Sequence, residues 1–266
     1  MRNRYLTAGI IIIGFILLLM MISIIYTPYE PNKNSDDILQ SPGIRHPLGT
    51  DKFGRDILSR IMVGTQRTIF ISFGTVFIGV VFGMIIGSAS GYFGGWIDGV
   101  LMRFNDVLLA FPGILIALLL ISLIGKGTAV IIIALGLMFI PSYVRIIRGE
   151  YLRYTNLDFV NSARSMGASP GRIMYIHIFP NIVPQLIPAV AIGFSNSILA
   201  ESSFSFLGLG VQAPDSSWGN IMYDSQGFFT AAPWITLSAG FMIIITILGF
   251  NFLAEGLSRY LTRKIQ

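Results

Sequence analysis

The chain has 266 residues, of which 53% are hydrophobic and only 12% are Asp, Glu, Lys or Arg, with a mean hydropathy of +0.72. That is about half the charge of a typical soluble domain, too little to cover a soluble fold of this size, so the composition points to an integral membrane protein. It excludes a secreted disulfide scaffold, a disordered tail and a DNA-binding domain, and the lack of any cysteine removes thiol catalysis, iron–sulfur ligation and Cys-based zinc sites. His46 and His177 lie far apart and make no zinc motif. The net charge of +5 does not come from a Lys/Arg run with interleaved aromatics, so it gives no sign of nucleic acid. Basic residues instead flank apolar spans, as the cytoplasmic loops of membrane proteins do.

The first apolar span runs from about Thr7 to Tyr26 behind Arg2 and Arg4. A secretory leader has an apolar part of only about 7–15 residues and a small-residue cleavage site. This run is longer, and Ile24-Ile25-Tyr26-Thr27-Pro28 is a poor cleavage site, so it is read as an anchor. Residues 1–64 are accordingly assigned as an anchor with an extracytoplasmic segment. Residues 65–260 are assigned as the main membrane domain.

Within that domain five more spans are expected, at 70–92, 107–124, 128–147, 184–206 and 236–256. Each approaches the ~20 residues that cross a bilayer core. They are continuous apolar runs rather than alternating ~10-residue strands, so the predicted class is all-α with six transmembrane helices. The span at 70–92 carries Gly79, Gly83, Gly87 and Gly91 at four-residue intervals. Such spacing lines one helix ridge about 18 Å long, on which another backbone packs closely. Pro112 and Pro141 fall inside two spans, where neighbouring helices can satisfy the freed backbone groups.

Between the fourth and fifth spans, 158–170 reads as two short helices joined at Gly167, a residue suited to a left-handed helix end. Asn156 is the expected cap of the first helix, and Ser169-Pro170 opens the second. Phe159, Val160, Ala163 and Met166 form an apolar stripe, and on a cytoplasmic loop without a core of its own that stripe predicts a docking surface. The alternative is an interfacial helix on lipid headgroups. Late in the fifth span, Glu201 is a costly carboxylate, expected to face a partner or the pathway near the outer gate, or else to be solvated at the interface. The basic residues orient the whole: with the N-terminus inside, eleven fall on cytoplasmic segments and seven outside, which favours both termini in the cytoplasm.

Nucleotide and hydrolase chemistry find no support. Gly125-Lys126-Gly127-Thr128 lacks the first glycine of a P-loop and has glycine where Ser or Thr belongs. Gly87-Ser88-Ala89-Ser90-Gly91 has alanine where a nucleophile elbow needs serine. No catalytic residue, cofactor site or metal site is therefore assigned to this chain.

Asn161-Ser162-Ala163, Gly167 and His177-Ile178-Phe179-Pro180 resemble the EAA loop of ABC-importer permeases, whose pattern is EAA, three residues, G, nine residues, I-x-L-P. The stretch from His46 to Arg60 resembles the signature before the second helix of the oligopeptide/dipeptide/nickel permeases. Ala200 to Gly210 with Pro214 and Trp218-Gly219 is similar to that family's fifth-helix exit. The chain is most similar to the second, C-type permease. This resemblance implies a type I importer permease fold in a bacterial plasma membrane, half of a pathway completed by a homologous second permease. It also implies two ATPase subunits that bind ATP and magnesium, and an extracytoplasmic binding protein. Residues 150–181 would be the coupling loop, with Asp158, Phe159, Val160, Asn161, Ser162, Ala163, Met166, Gly167 and Pro180 meeting the ATPase. Asn161 and Ser162 replace the family's Glu and first Ala, and His177 and Phe179 its Ile and Leu, so the glutamate's ion pair does not carry over to Asn161. Cargo is expected to be di- or oligopeptides, with nickel or a metal–chelator complex as the alternative. An ion-coupled secondary transporter is a distant rival, since such proteins usually show internal repeats and none is found here.

Overall fold

A computed structural model describes residues 4–265, with side chains described to residue 261. Ten α-helices follow in chain order: α1 Arg4–Ile25, α2 Ile57–Phe93, α3 Gly95–Ala110, α4 Gly113–Ile124, α5 Thr128–Thr155, α6 Asp158–Ser165, α7 Pro170–Arg172, α8 Phe179–Phe206, α9 Trp218–Ser225 and α10 Pro233–Ile265. Among the described residues there is no strand, only an isolated bridge between Thr50 and Asp56. Among the described residues five helical stretches are long and apolar enough to cross a membrane, and α3 with α4, bent by 83°, passes only as a pair, the geometry of a broken span or a re-entrant loop.

Besides longer ends on α5 and α10, three differences from the sequence expectation have a local cause. The second span begins at Ile57 rather than 70, because Asp56 caps the helix. Its carboxylate accepts from the Ser59 amide (2.8 Å) and hydroxyl (2.7 Å). At 37 residues α2 is about 55 Å long and outruns a ~30 Å hydrocarbon core. The third span is not one straight helix: Pro112 has no amide hydrogen and holds Phe111 extended (φ −91°, ψ 136°), so α3 ends at Ala110 and α4 departs at a sharp angle. Pro141, by contrast, is accommodated within α5. The second helix of the loop is not short, since α7 runs through a π-helical turn, Ile173–Ile178, straight into α8.

Antiparallel pairing sorts the two ends of the bundle. Gly9 of α1 packs on Leu253 of α10, and Gly256 of α10 packs on Leu6. Phe194 of α8 stacks on Phe250 of α10 at 5.0 Å. The first residues of α1, the last turns of α10 and the α6 turn therefore share one end. At the opposite end, α9 and residues 26–56 gather around the start of α2, where buried Trp218 donates its indole N–H to the Ile61 carbonyl (3.4 Å). One apolar core lies at the α6 end around Tyr143, Ile147, Tyr151 and Ile173, and another at the α9 end around Ile57, Ile61, Trp218 and Ile235.

Candidate functional site

The ridge of Gly79, Gly83, Gly87 and Gly91 lies against α5. A Cβ on Gly83 would sit 2.5 Å from the Tyr143 Cβ, one on Gly87 2.8 Å from the Val144 carbonyl, and one on Gly91 2.6 Å from the Tyr151 Cβ. Gly79 faces the Tyr143 ring at 2.9 Å. Only hydrogen fits along this seam, so the backbones of α2 and α5 touch, as small-residue helix crossings in membranes do.

Beyond the seam, α5 leads into the loop. The α6 turn closes as a Schellman motif: the Ala168 amide donates to the Ala163 carbonyl (3.1 Å) and the Gly167 amide to the Arg164 carbonyl (3.0 Å), with Gly167 at φ +81°. Ser169 then caps α7, accepting from the Arg172 amide at 3.4 Å, with Pro170 first in the helix. The cap of α6 is Leu157 rather than Asn156, which instead accepts through its carbonyl from the Asn161 side chain at 3.4 Å.

The apolar stripe divides. Val160 and Ala163 are buried in this chain's own core beside Tyr151 and Ile173, and Tyr151 donates its hydroxyl to the Met174 carbonyl at 3.1 Å. Phe159 and Met166 remain exposed, Met166 at 82%. The expectation of a loop without a core is thus corrected, because the following π turn and α5 supply one. What α6 offers outward is Asp158, Phe159, Asn161, Ser162, Met166 and Gly167, with Pro180 exposed at the start of α8.

Glu201 is corrected more strongly. It is neither solvated nor on an outer face of the chain, being fully buried between α8, α2 and α9. Its carboxylate accepts from Ser205 Oγ (2.7 Å) and Ser202 Oγ (3.4 Å), with the Ser217 and Thr68 hydroxyls also directed to it. Four hydroxyls replace water around one acid, so in this conformation Glu201 ties three helices rather than lining an opening.

Two ionic arrangements escaped the sequence reading. At the α9 end, buried Arg60 reaches Asp51 (3.7 Å) and Asp224 (3.4 Å), while Arg55 pairs with Asp51 (2.6 Å) and Asp224 (3.4 Å). His46 sits on Asp56 at 2.9 Å, its ring 4.5 Å from that of Tyr29. The segment from His46 to Arg60 is therefore a clasp holding residues 26–56 onto α2 and α9. At the α6 end, Arg148 grips Asp98 with two 2.6 Å bonds and Arg145 meets Asp106 at 2.8 Å, strapping α3 along α5. Charge count alone assigns these arginines to orientation, and the spacing of Asp98 and Asp106 does not match that of Arg145 and Arg148, so the pairing is visible only in the fold.

Among known sequences, the family described as binding-protein-dependent transport system inner membrane component matches residues 79–266. The chain is 35% identical over 266 residues to the dipeptide transport system permease protein DppC of Alkalihalophilus pseudofirmus, covering 100% of this chain and 88% of that protein. It is 34% identical over 271 residues to the glutathione transport system permease protein GsiD of Pectobacterium atrosepticum, covering 99% and 90%. Against GsiD of Escherichia coli O157:H7 the identity is 37% over 257 residues, covering 95% and 85%. Among solved structures, an inward-facing form of the MetNI methionine ABC transporter superposes with a TM-score of 0.64 at 18% identity, over 77% of this chain and 97% of that one. At that identity the likeness speaks for the fold alone.

Proposed function

The chain belongs to the family of binding-protein-dependent transport system inner membrane components and is a permease subunit of an ABC importer, and from that premise we propose that it forms half of a membrane pathway for small peptides. The observation that carries the cargo class is similarity along the whole chain to permeases named for a dipeptide and for glutathione, itself a tripeptide.

The proposed assembly pairs this chain with a homologous permease, two ATPases that hold ATP and magnesium, and an extracytoplasmic binding protein. Residues 1–64 then supply the anchor and the outer clasp, and 65–260 the permease domain. With the start of α1, the end of α10 and the α6 turn at one end of the bundle, a single cytoplasmic assignment accommodates the basic flanks and the proposed ATPase contact. In this reading α6 docks through Phe159 and Met166, an exposed apolar pair on a short helix that fits a partner's groove.

Transport decides the reading. Reconstituted with the second permease, the ATPases and the binding protein, the chain should import dialanine or glutathione only when ATP is hydrolysed. Uptake by the chain alone under an ion gradient would overturn it. Met166→Asp should lower recovery of the ATPases with the membrane subunits while the bundle stays folded, since an 82% exposed side chain carries little stability. Undiminished recovery would remove α6 from the contact.

A further inference from the structure

Between α5 and α8 an open groove is lined by Met138, Phe139, Ser142, Asn196, Leu199 and Ala200. Ser142 and Asn196 are both exposed there. Ser142 lies about 21 Å of helix from the start of α5, and Asn196 about 15 Å from the end of α8 at Phe206, so both sit at hydrocarbon depth. Neither side chain has a partner among the described residues. A serine in this position could satisfy its hydroxyl on a carbonyl of its own helix. An asparagine amide carries two donors and an acceptor, and facing lipid it would leave them unmet at a cost of several kcal/mol. Polar groups at such depth face protein or a water-filled path.

We propose that Ser142 and Asn196 form a polar station on the pathway-lining face of this permease, where they hydrogen-bond the backbone amides of a small peptide in transit. The chemistry is complementary: a peptide group offers one N–H and one C=O, and the Asn196 amide offers the reciprocal pair, with the Ser142 hydroxyl able to give or accept. Around them the walls are apolar and adaptable, Met138 especially, which suits variable side chains on a constant backbone. The station therefore recognises what all peptides share. It rests on the reading of the chain as a peptide permease.

The absence of native cysteine makes the test direct. In the complete reconstituted transporter, S142C and N196C are exposed separately to a charged, water-soluble thiol reagent, with and without dialanine and ATP. Both should label from water, and turnover with dialanine should slow the labelling. Asn196→Leu and Ser142→Ala should raise the KM for dialanine roughly three- to tenfold, the loss of one or two hydrogen bonds. Three outcomes overturn the proposal. The first is N196C reacting only with a lipid-soluble reagent, which marks a lipid face. The second is N196C resisting both reagents, which marks a contact with the second permease. The third is Asn196→Leu transporting dialanine with unchanged KM. Wild-type transporter that imports neither dialanine nor glutathione is the separate failure of the peptide reading, and it removes the amide ligand with it.

Discussion

Two regions of this chain use glycine for opposite physical reasons. Along the α2–α5 seam, Gly79, Gly83, Gly87 and Gly91 have ordinary helical backbones but no room, because α5 stands where their Cβ atoms would be. At Gly167 nothing lies within 4 Å of an added Cβ, yet the backbone is left-handed at φ +81°. The first set is a requirement of packing, the second of conformation. The difference separates a seam that must stay closed from a turn that must only keep its shape. A transporter needs both kinds of element, since motion delivered at a loop moves helices only if those helices travel as a unit.

The sharpest way to break the comparison is within the seam. A Cβ at Gly83 meets the Tyr143 Cβ at 2.5 Å and backbone atoms of Tyr143 and Val144 at 3.2 and 3.3 Å, and none of these can swing aside. At Gly79 the first neighbours are atoms of the Tyr143 ring, at 2.9 and 3.0 Å, which can rotate. Gly83→Ala should cost about 3 kcal/mol or more, the upper range for overpacking, and Gly79→Ala about 1 kcal/mol. Thermal stability of the detergent-solubilised complex should fall in that order. Equal losses would mean that α2 and α5 slide rather than lock.

A second effect comes from the loop's inner face. Ala163 is 3% exposed against Val160, Tyr151 and Ile173, so Ala163→Asp places a carboxylate in apolar core with no partner. The expected penalty is about 2–4 kcal/mol. It should show as proteolytic nicking between Thr155 and Pro170, with ATPase binding lost only as a consequence. A variant that resists protease as wild type does, yet loses the ATPase, would put Ala163 on the docking side.

The membrane helices were legible because apolar runs of sufficient length have few alternatives. The start of α2 was not, since hydropathy weighs residues 57–69 as too polar, and the signal lay in Asp56 and Ser59 as a cap. Likewise the apolar residues of α6 stand out at helical spacing, but periodicity does not say that Val160 and Ala163 turn inward while Phe159 and Met166 stay exposed. The cover over Val160 and Ala163 is the π turn two elements later. Glu201 shows the same limit: Ser202 is its neighbour in sequence and Ser205 lies one turn on, whereas Thr68 and Ser217 come from 133 positions before and 16 after, which only the fold brings in.

The smallest expected effect tests the other half of the comparison, that Gly167 is needed for its backbone angle and not for space. For an L-residue the left-handed conformation costs about 1–2 kcal/mol, and Asn suffers less because its short polar side chain is at home there. A β-branched residue suffers more. Since no atom lies within 4 Å of the new Cβ, size alone should not matter. Gly167→Asn should therefore be close to wild type, Gly167→Ala lower in stability by about 1 kcal/mol, and Gly167→Val lower by about 2 kcal/mol. These losses fall on the two Schellman bonds, from Ala168 to Ala163 and from Gly167 to Arg164. When they loosen, α6 no longer ends where α7 begins, and the exposed pair Phe159 and Met166 changes direction relative to the bundle. Substrate-stimulated ATP hydrolysis in the reconstituted transporter should accordingly follow the order Gly, Asn, Ala, Val, while the α2–α5 seam keeps its stability. If Asn proves as damaging as Val, a partner atom already occupies the space above Gly167, and this glycine belongs with those of the seam.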